Sequence, residues 1–395
     1  MNILFLFHCE INPNSGGVQR VTDILAHEFK QRGHNVVFLS TSSAFTDFTE
    51  FSGIQEFATE FKYNQKLFLK HYLSILNKHN IDIVINQETS EETLYLLKNT
   101  PKEIKKISVW HTNPFGYVKY FKEIKKNIHT TNKSKQILKH ISLTFPHIFK
   151  HRLKQKTIKR LYLAGIYSDK LCFLSYRFVD IVHKYIPQLP LDKLTAINNP
   201  NTFNNFKDST YNKNNSILFV GRLSEVPKNI HEFIELWELL SRNNPKWNAY
   251  IVGDGPDRAY LENFARQRGI TNLHFEGMKS NVSEYYAKAN FICLTSISEG
   301  WPMILAEGMA YKCIPCVYGT FESAYDIIDN NECGFITTPF KPQEMADKIQ
   351  SLIDNEEKRL QFARKAKEKI AYFTPLKIAN QWEQLFYQLT NESIQ

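Results

Sequence analysis

The sequence predicts an α/β protein made of two Rossmann-like domains. Three observations carry this expectation. Short apolar runs alternate with amphipathic stretches from one end of the chain to the other, the pattern of parallel α/β architecture. The alternation breaks once, at 198–215, where Asn, Pro, Thr and Ser cluster without apolar periodicity, and then restarts. A chain of 395 residues is also too long for one ordinary core and fits two of about 200 residues each.

The elements follow in order. Ile3–Phe7 reads as a buried first strand; with no basic segment before it, it is not expected to be a signal peptide. The loop Asn12-Pro13-Asn14-Ser15-Gly16-Gly17 leads into an amphipathic stretch, Val18–Arg32, with apolar residues at 18, 21, 24, 25 and 29 and a stop at Gly33. Val36–Leu39, Ile81–Ile85, Ile107–Trp110 and Lys170–Leu174 read as further strands. The second half begins again with Ile217–Val220 and a helix at 229–241. Trp247–Val252, a helix at 257–268, Leu273–Phe275 and Phe291–Leu294 follow, then a helix at 303–311 and Ile314–Val317. The expected domains are 1–200 and 216–375, with a closing helix in 376–395.

Three sites stand where strands hand over to helices, the edge at which open α/β sheets bind ligands. The first is Ser15-Gly16-Gly17-Val18. Two glycines let backbone approach a ligand, and the helix start offers unpaired N–H groups to an anion; a plain tight turn would look the same. The second is Gly221-Arg222-Leu223 followed by Pro227-Lys228-Asn229. Arg222 offers a planar fork and Lys228 a point charge, together enough to neutralise a diphosphate without a bound metal. The third runs from Ser296 to Glu307 and contains Glu299-Gly300-Trp301-Pro302. A loop carboxylate, Glu299, suits sugar hydroxyls, and a second, Glu307, lies about one turn into a helix starting near Pro302. A Glu near a helix start also complements the helix dipole, which leaves the intervening Gly-Trp-Pro unexplained.

The Glu-x7-Glu element, the Gly-Arg…Lys-Asn loop and the Gly-Gly turn, in this order and spacing, resemble glycosyltransferase family 4, retaining enzymes of the GT-B fold. Val252-Gly253-Asp254-Gly255-Pro256 and Phe275-Glu276-Gly277 add partial matches, and the resemblance spans nearly the whole chain. It implies an acceptor-binding first domain and a nucleotide-sugar-binding second domain that face each other across a cleft, and a C-terminal helix returning to the first. Arg222 and Lys228 would hold the donor diphosphate. Glu299 would face the donor sugar beside the backbone of Gly300, Trp301 and Pro302, and Glu307 would bind the ribose. Gly16 and Gly17 would approach the phosphate or sugar. Gly253, Gly277 and Met278 would line the nucleobase pocket, and His111, at the end of the strand Ile107–Trp110, would lie near the reacting carbon. The chain departs from the pattern at Lys312, where many members carry Gly, and 115–165 holds no family motif.

The implied reaction transfers a hexose-type sugar from a UDP-linked donor, with GDP as the alternative, to a glycan or lipid-linked acceptor in surface polysaccharide or glycoconjugate synthesis. The leaving diphosphate is stabilised electrostatically by Arg222 and Lys228. Neither half carries Asp-x-Asp or a cluster with metal-ligand spacing, so no metal and no cofactor is expected. A sugar-nucleotide epimerase of the same fold is the alternative. An NAD-dependent oxidoreductase lacks its Gly-x-Gly-x-x-Gly, of which Gly253-Asp254-Gly255 is a fragment.

The net charge of +9 is uneven. Residues 1–200 hold 28 Lys and Arg against 16 Asp and Glu, whereas 201–395 hold 21 against 24. From 119 to 160 there are 13 basic residues and one acid, Glu123, interleaved with Ile128, Ile137, Leu138, Phe145, Ile148 and Phe149. A basic, aromatic-bearing stretch suits peripheral contact with an anionic membrane, although a solvated helical face has the same composition. The acidic-leaning second half speaks against nucleic acid. No apolar run approaches the roughly 20 residues that span a bilayer, so a cytoplasmic protein with reduced thiols is expected, peripheral on the inner membrane face at most. Cys313-Ile314-Pro315-Cys316 has redox spacing, but it sits between a helix and a strand and reads as core thiols.

Overall fold

The computed structural model describes residues 1–8, 12, 16–42, 53–58, 61, 64–129, 132–202 and 213–390. The chain divides into two compact units. One comprises Met1–Pro114, Gln155–Thr202 and Phe373–Gln395; the other comprises Phe115–Lys154 and Phe203–Tyr372.

The first unit is built on a parallel sheet of β1 (Asn2–Phe7), β2 (Asn35–Ser40), β3 (Ile54–Phe57), β4 (Ile83–Asn86), β5 (Lys105–Trp110), β6 (Lys170–Phe173) and β7 (Leu194–Ala196), in the order β3-β2-β1-β4-β5-β6-β7. Strand β1 pairs on one side with β2 (Phe5 opposite Phe38) and on the other with β4 (Phe5 opposite Ile85). Both faces are covered, which is why Ile3–Phe7 can be apolar at every position. The strand order reverses between β1 and β4, so the loops after them open a crevice at the carboxyl edge.

The helix Pro375–Thr390 belongs to this unit, the place that the family resemblance implies for it. It packs on the helix Gly17–Gln31, with the rings of Phe29 and Phe386 edge to face at 5.4 Å. Glu383 holds both the Arg32 guanidinium and, at 2.8 Å, His34 Nε2.

The second unit carries β8 (Ser216–Val220), β9 (Asn248–Val252), β10 (Leu273–Gly277), β11 (Phe291–Leu294), β12 (Ile314–Tyr318) and β13 (Phe335–Thr337), again parallel, in the order β10-β9-β8-β11-β12-β13. Its order reverses between β8 and β11. Each unit is thus a doubly wound sheet, and together they are the two Rossmann-like halves of the GT-B class.

Three strands escaped the apolar pattern: β3, β7 and β13. All three are short edge strands, paired on one side only, and so carry no long apolar run. The linear division also expected 115–154 in the first domain, but this segment packs in the second unit. Tyr120 meets Phe340 edge to face at 5.5 Å, Asn127 Nδ2 donates to Asn229 Oδ1 at 2.6 Å, and His129 stacks on Tyr260 at 3.9 Å. These contacts are long-range in sequence, which periodicity cannot register. Most of the stretch 198–215 lies outside the described residues. Cys313 and Cys316 are buried, as core thiols should be. Lys312 adopts a left-handed φ of +62°, the conformation that accounts for Gly at the corresponding turn of the family pattern.

Candidate active site

In the second unit the loops after β8, β9 and β10 are laced backbone to backbone. Gly221 N donates to Val252 O at 3.0 Å, Leu223 N to Asp254 O at 2.9 Å and Gly253 N to Gly277 O at 2.8 Å. A Cβ on Gly253 would stand 2.0 Å from Gly221 O, and its φ of +139° already disfavours other residues, so glycine is obligatory there. The loops therefore form one rigid rim. Arg222 is exposed on it, and Met278, just past Gly277, is 82% exposed.

Lys228 is brought to the neighbouring loop by a second set of bonds. Asn229 takes the left-handed conformation (φ +56°, ψ +48°), which asparagine tolerates better than most residues, and turns the chain into the helix Ile230–Ser241. Its backbone O accepts from Thr295 Oγ1 at 2.9 Å, its Nδ2 donates to Thr295 O at 3.2 Å, and Ile297 N donates to Pro227 O at 2.8 Å. The loops after β8 and β11 are thereby stitched together at the point where the strand order reverses. Lys228 Nζ lies 2.8 Å from Glu299 Oε1, a half-buried ion pair.

Below this pair, the buried Glu225 carboxylate accepts from Ile230 N at 2.8 Å and His231 N at 3.0 Å, satisfying the start of that helix. It also holds the His231 ring. Burial alone would lower the His231 pKa, but the hydrogen bond and charge of Glu225 outweigh it and raise it.

Gly300, Trp301 and Pro302 are buried and lead into the helix Met303–Ala310. Glu307 lies one turn in, as its spacing predicts. Its Oε2 accepts from the hydroxyl of the fully buried Tyr286 at 2.8 Å. Tyr117, which the sequence did not single out, has its pKa raised by burial first and by the charge of Glu299 second, so it stands close to that carboxylate.

In the first unit, Gly16 caps the helix Gly17–Gln31 without a side-chain bond, and residues 13–15 of the predicted turn lie outside the described residues. His111 follows β5. Its Nε2 lies 2.6 Å from Gln87 Oε1, an acceptor, so Nε2 carries the ring proton and the buried Nδ1 is left without a partner among the described residues. Desolvation lowers its pKa to about 4, and the ring is neutral at ordinary pH. A cavity of about 440 Å³ lies beside it, lined among others by His8, Gln19, Gln87, Thr89 and Arg160. The first helix start and His111 thus share one cavity. Gln87 and Arg160 carried no sequence signal, because only folding brings them to the edge.

Among the described residues no group of three or more His, Cys, Asp or Glu is placed to hold a metal ion, and no helix is long and apolar enough to cross a membrane.

The family model described as "Glycosyl transferases group 1" matches residues 201–369. An uncharacterized glycosyltransferase of Haemophilus influenzae is 27% identical over 223 residues, 56% of this chain and 62% of its own. The GalNAc-alpha-(1->4)-GalNAc-alpha-(1->3)-diNAcBac-PP-undecaprenol alpha-1,4-N-acetyl-D-galactosaminyltransferase of Campylobacter jejuni is 29% identical over 185 residues, 47% of this chain and 51% of its own. The chain thus spans between about half and three fifths of these relatives. Among solved structures, Anabaena HepE in complex with UDP matches with a TM-score of 0.73 at 16% identity, over 98% of this chain and 100% of that one. At that identity the likeness speaks for the fold alone.

Proposed function

We propose that this chain, whose residues 201–369 match the family model of glycosyl transferases group 1, is a retaining, metal-independent glycosyltransferase. It moves a hexose-type sugar from a nucleotide diphosphate to a glycan or lipid-linked acceptor in polysaccharide or glycoconjugate synthesis. The observation that carries this reading is the Lys228–Glu299 pair at the point of strand reversal in the second sheet. A cation poised beside a carboxylate suits a leaving diphosphate on one side and sugar hydroxyls on the other.

In this reading Arg222 and Lys228 neutralise the departing diphosphate, Glu299 with the backbone of Gly300, Trp301 and Pro302 orients the sugar, and Glu307 binds the ribose. Gly253, Gly277 and Met278 line the base pocket. His111, neutral and held by Gln87, orients the sugar near its reacting carbon, and Gly16 and Gly17 offer backbone N–H groups. UDP is the expected nucleotide and GDP the alternative; a lipid diphosphate acceptor accords with the undecaprenol-linked substrate in the name of the Campylobacter relative.

Contact with an anionic membrane from the cytoplasmic side is part of the proposal. Along the helices Lys133–Thr144 and Pro146–Tyr167, Ile137, Leu138, Ile141, Phe145 and Ile148 are exposed among basic residues. An apolar ridge flanked by lysines complements acidic headgroups.

A thermal-shift panel of nucleotide sugars, run with and without a chelator, tests the donor reading. One nucleotide sugar should stabilise the protein equally in both conditions. Stabilisation by none, or stabilisation abolished by the chelator, overturns it.

A further inference from the structure

We propose that a second cavity in the first unit, of about 630 Å³, binds an acceptor that carries a phosphate on a hydrocarbon tail. This rests on the transfer reading above and assigns its acceptor class to named residues.

The cavity is strongly basic. Lys98, Lys156, Lys159 and Arg160 line it, opposed by one carboxylate, Glu91. Three of the four cations share one face of the helix Pro146–Tyr167, and the same face continues as Leu163 and Tyr167. The second helix of the wall, Glu91–Asn99, adds Leu94 and Tyr95. One wall therefore changes along its length from charged to apolar, the complement of an amphiphile. A neutral glycan would have no use for the cations, and a free anion none for the apolar half.

Arg160 links this cavity to the one beside His111, since it lines both, as do Thr89 and Ser90. Its guanidinium is fixed in place. Nε and Nη2 donate to Thr89 O at 3.3 and 3.1 Å, Nη2 also donates to Thr89 Oγ1 at 2.9 Å, and the group lies 5.8 Å from the centre of the Trp110 ring. The side chain held in this way lines both cavities. A phosphate held at Arg160 would leave the adjoining sugar hydroxyl in the neighbouring cavity with His111.

Isothermal titration of the full chain tests this, with UDP saturating so that the donor's own diphosphate site is filled. Farnesyl diphosphate, below its aggregation concentration, is expected to bind at least tenfold tighter than inorganic diphosphate or farnesol. In the exposed double variant K156E/K159E that affinity should fall tenfold or more, with UDP affinity and melting temperature unchanged. Leu163→Asn should bring farnesyl diphosphate down to the level of inorganic diphosphate. Equal farnesyl diphosphate affinity in wild type and K156E/K159E overturns the proposal, as does inorganic diphosphate or farnesol binding as tightly as farnesyl diphosphate. A wild type that fails to bind any nucleotide sugar overturns the donor reading instead, and the two failures are told apart because each ligand is titrated separately.

Discussion

Lys228 Nζ and Glu299 Oε1 lie 2.8 Å apart on loops that leave adjacent strands, β8 and β11, where the order of the second sheet reverses. Their side chains are 21% and 13% exposed, so the pair is partly withdrawn from water, and its attraction is less screened while its desolvation costs more than at the surface. Each partner satisfies the other until a ligand arrives. In the proposed reading a diphosphate competes with Glu299 for the ammonium group, so substitutions of the two partners should move nucleotide affinity in opposite directions and lower turnover alike.

Glu299→Gln removes the competing charge and the repulsion toward a bound diphosphate. Nucleoside diphosphate should bind a few fold tighter by titration, while transfer falls roughly 10²-fold because the sugar loses its carboxylate. Lys228→Ala should weaken the same nucleotide and lower kcat about 10²- to 10³-fold. Unchanged turnover in folded Lys228→Ala protein would end the assignment.

His111 has its pKa depressed by desolvation from 6.5 to about 4. The unfolded chain takes up the proton near pH 6.5 and the folded one resists until near 4, so the stability from the neutral buried ring is complete above 6.5 and fades as pH falls toward 4. Urea midpoints should show wild type losing on the order of 1–2 kcal/mol more than His111→Gln between pH 7 and 4.5. The same shift predicts no activity limb from His111 near pH 6–7.

Two glycines should separate fold from function. Gly253→Ala places a Cβ 2.0 Å from Gly221 O at φ +139° and should cost about 2–4 kcal/mol, read as a drop of several degrees in melting temperature. Gly16→Ala meets only the movable Gln19 side chain, at an extended φ of −174°, and should leave melting intact while lowering transfer.

Vesicles with anionic lipid should sediment the protein, and raised salt should release it. Charge reversal at Lys150, Arg152 and Lys154, or Ile137, Leu138 and Ile141 changed to Ser, should each reduce binding severalfold. Equal sedimentation of both variants would leave this face as solvated surface.

Much of this protein is legible in its residues. Strands buried on both faces announce themselves as apolar runs, and glycines, cations and carboxylates at strand-to-helix junctions mark the edge that binds ligands. β3, β7 and β13 were hidden because edge strands need no such run. Glu307 was found by its spacing, but its partner Tyr286 was not, since 21 residues of intervening chain carry no pairing signal.

Periodicity and motif order depend on neighbours along the chain, and they were enough for two doubly wound sheets and for naming Arg222, Lys228, Glu299 and Glu307 as candidates. Long-range contact settled the rest. The ion pair of Lys228 with Glu299 depends on the Asn229–Thr295 stitch, the segment 115–154 packs with the second unit through Tyr120, Asn127 and His129, and Arg160 borders two cavities because it is tied to Thr89. Such pairings join residues tens of positions apart, and only the folded chain brings them together.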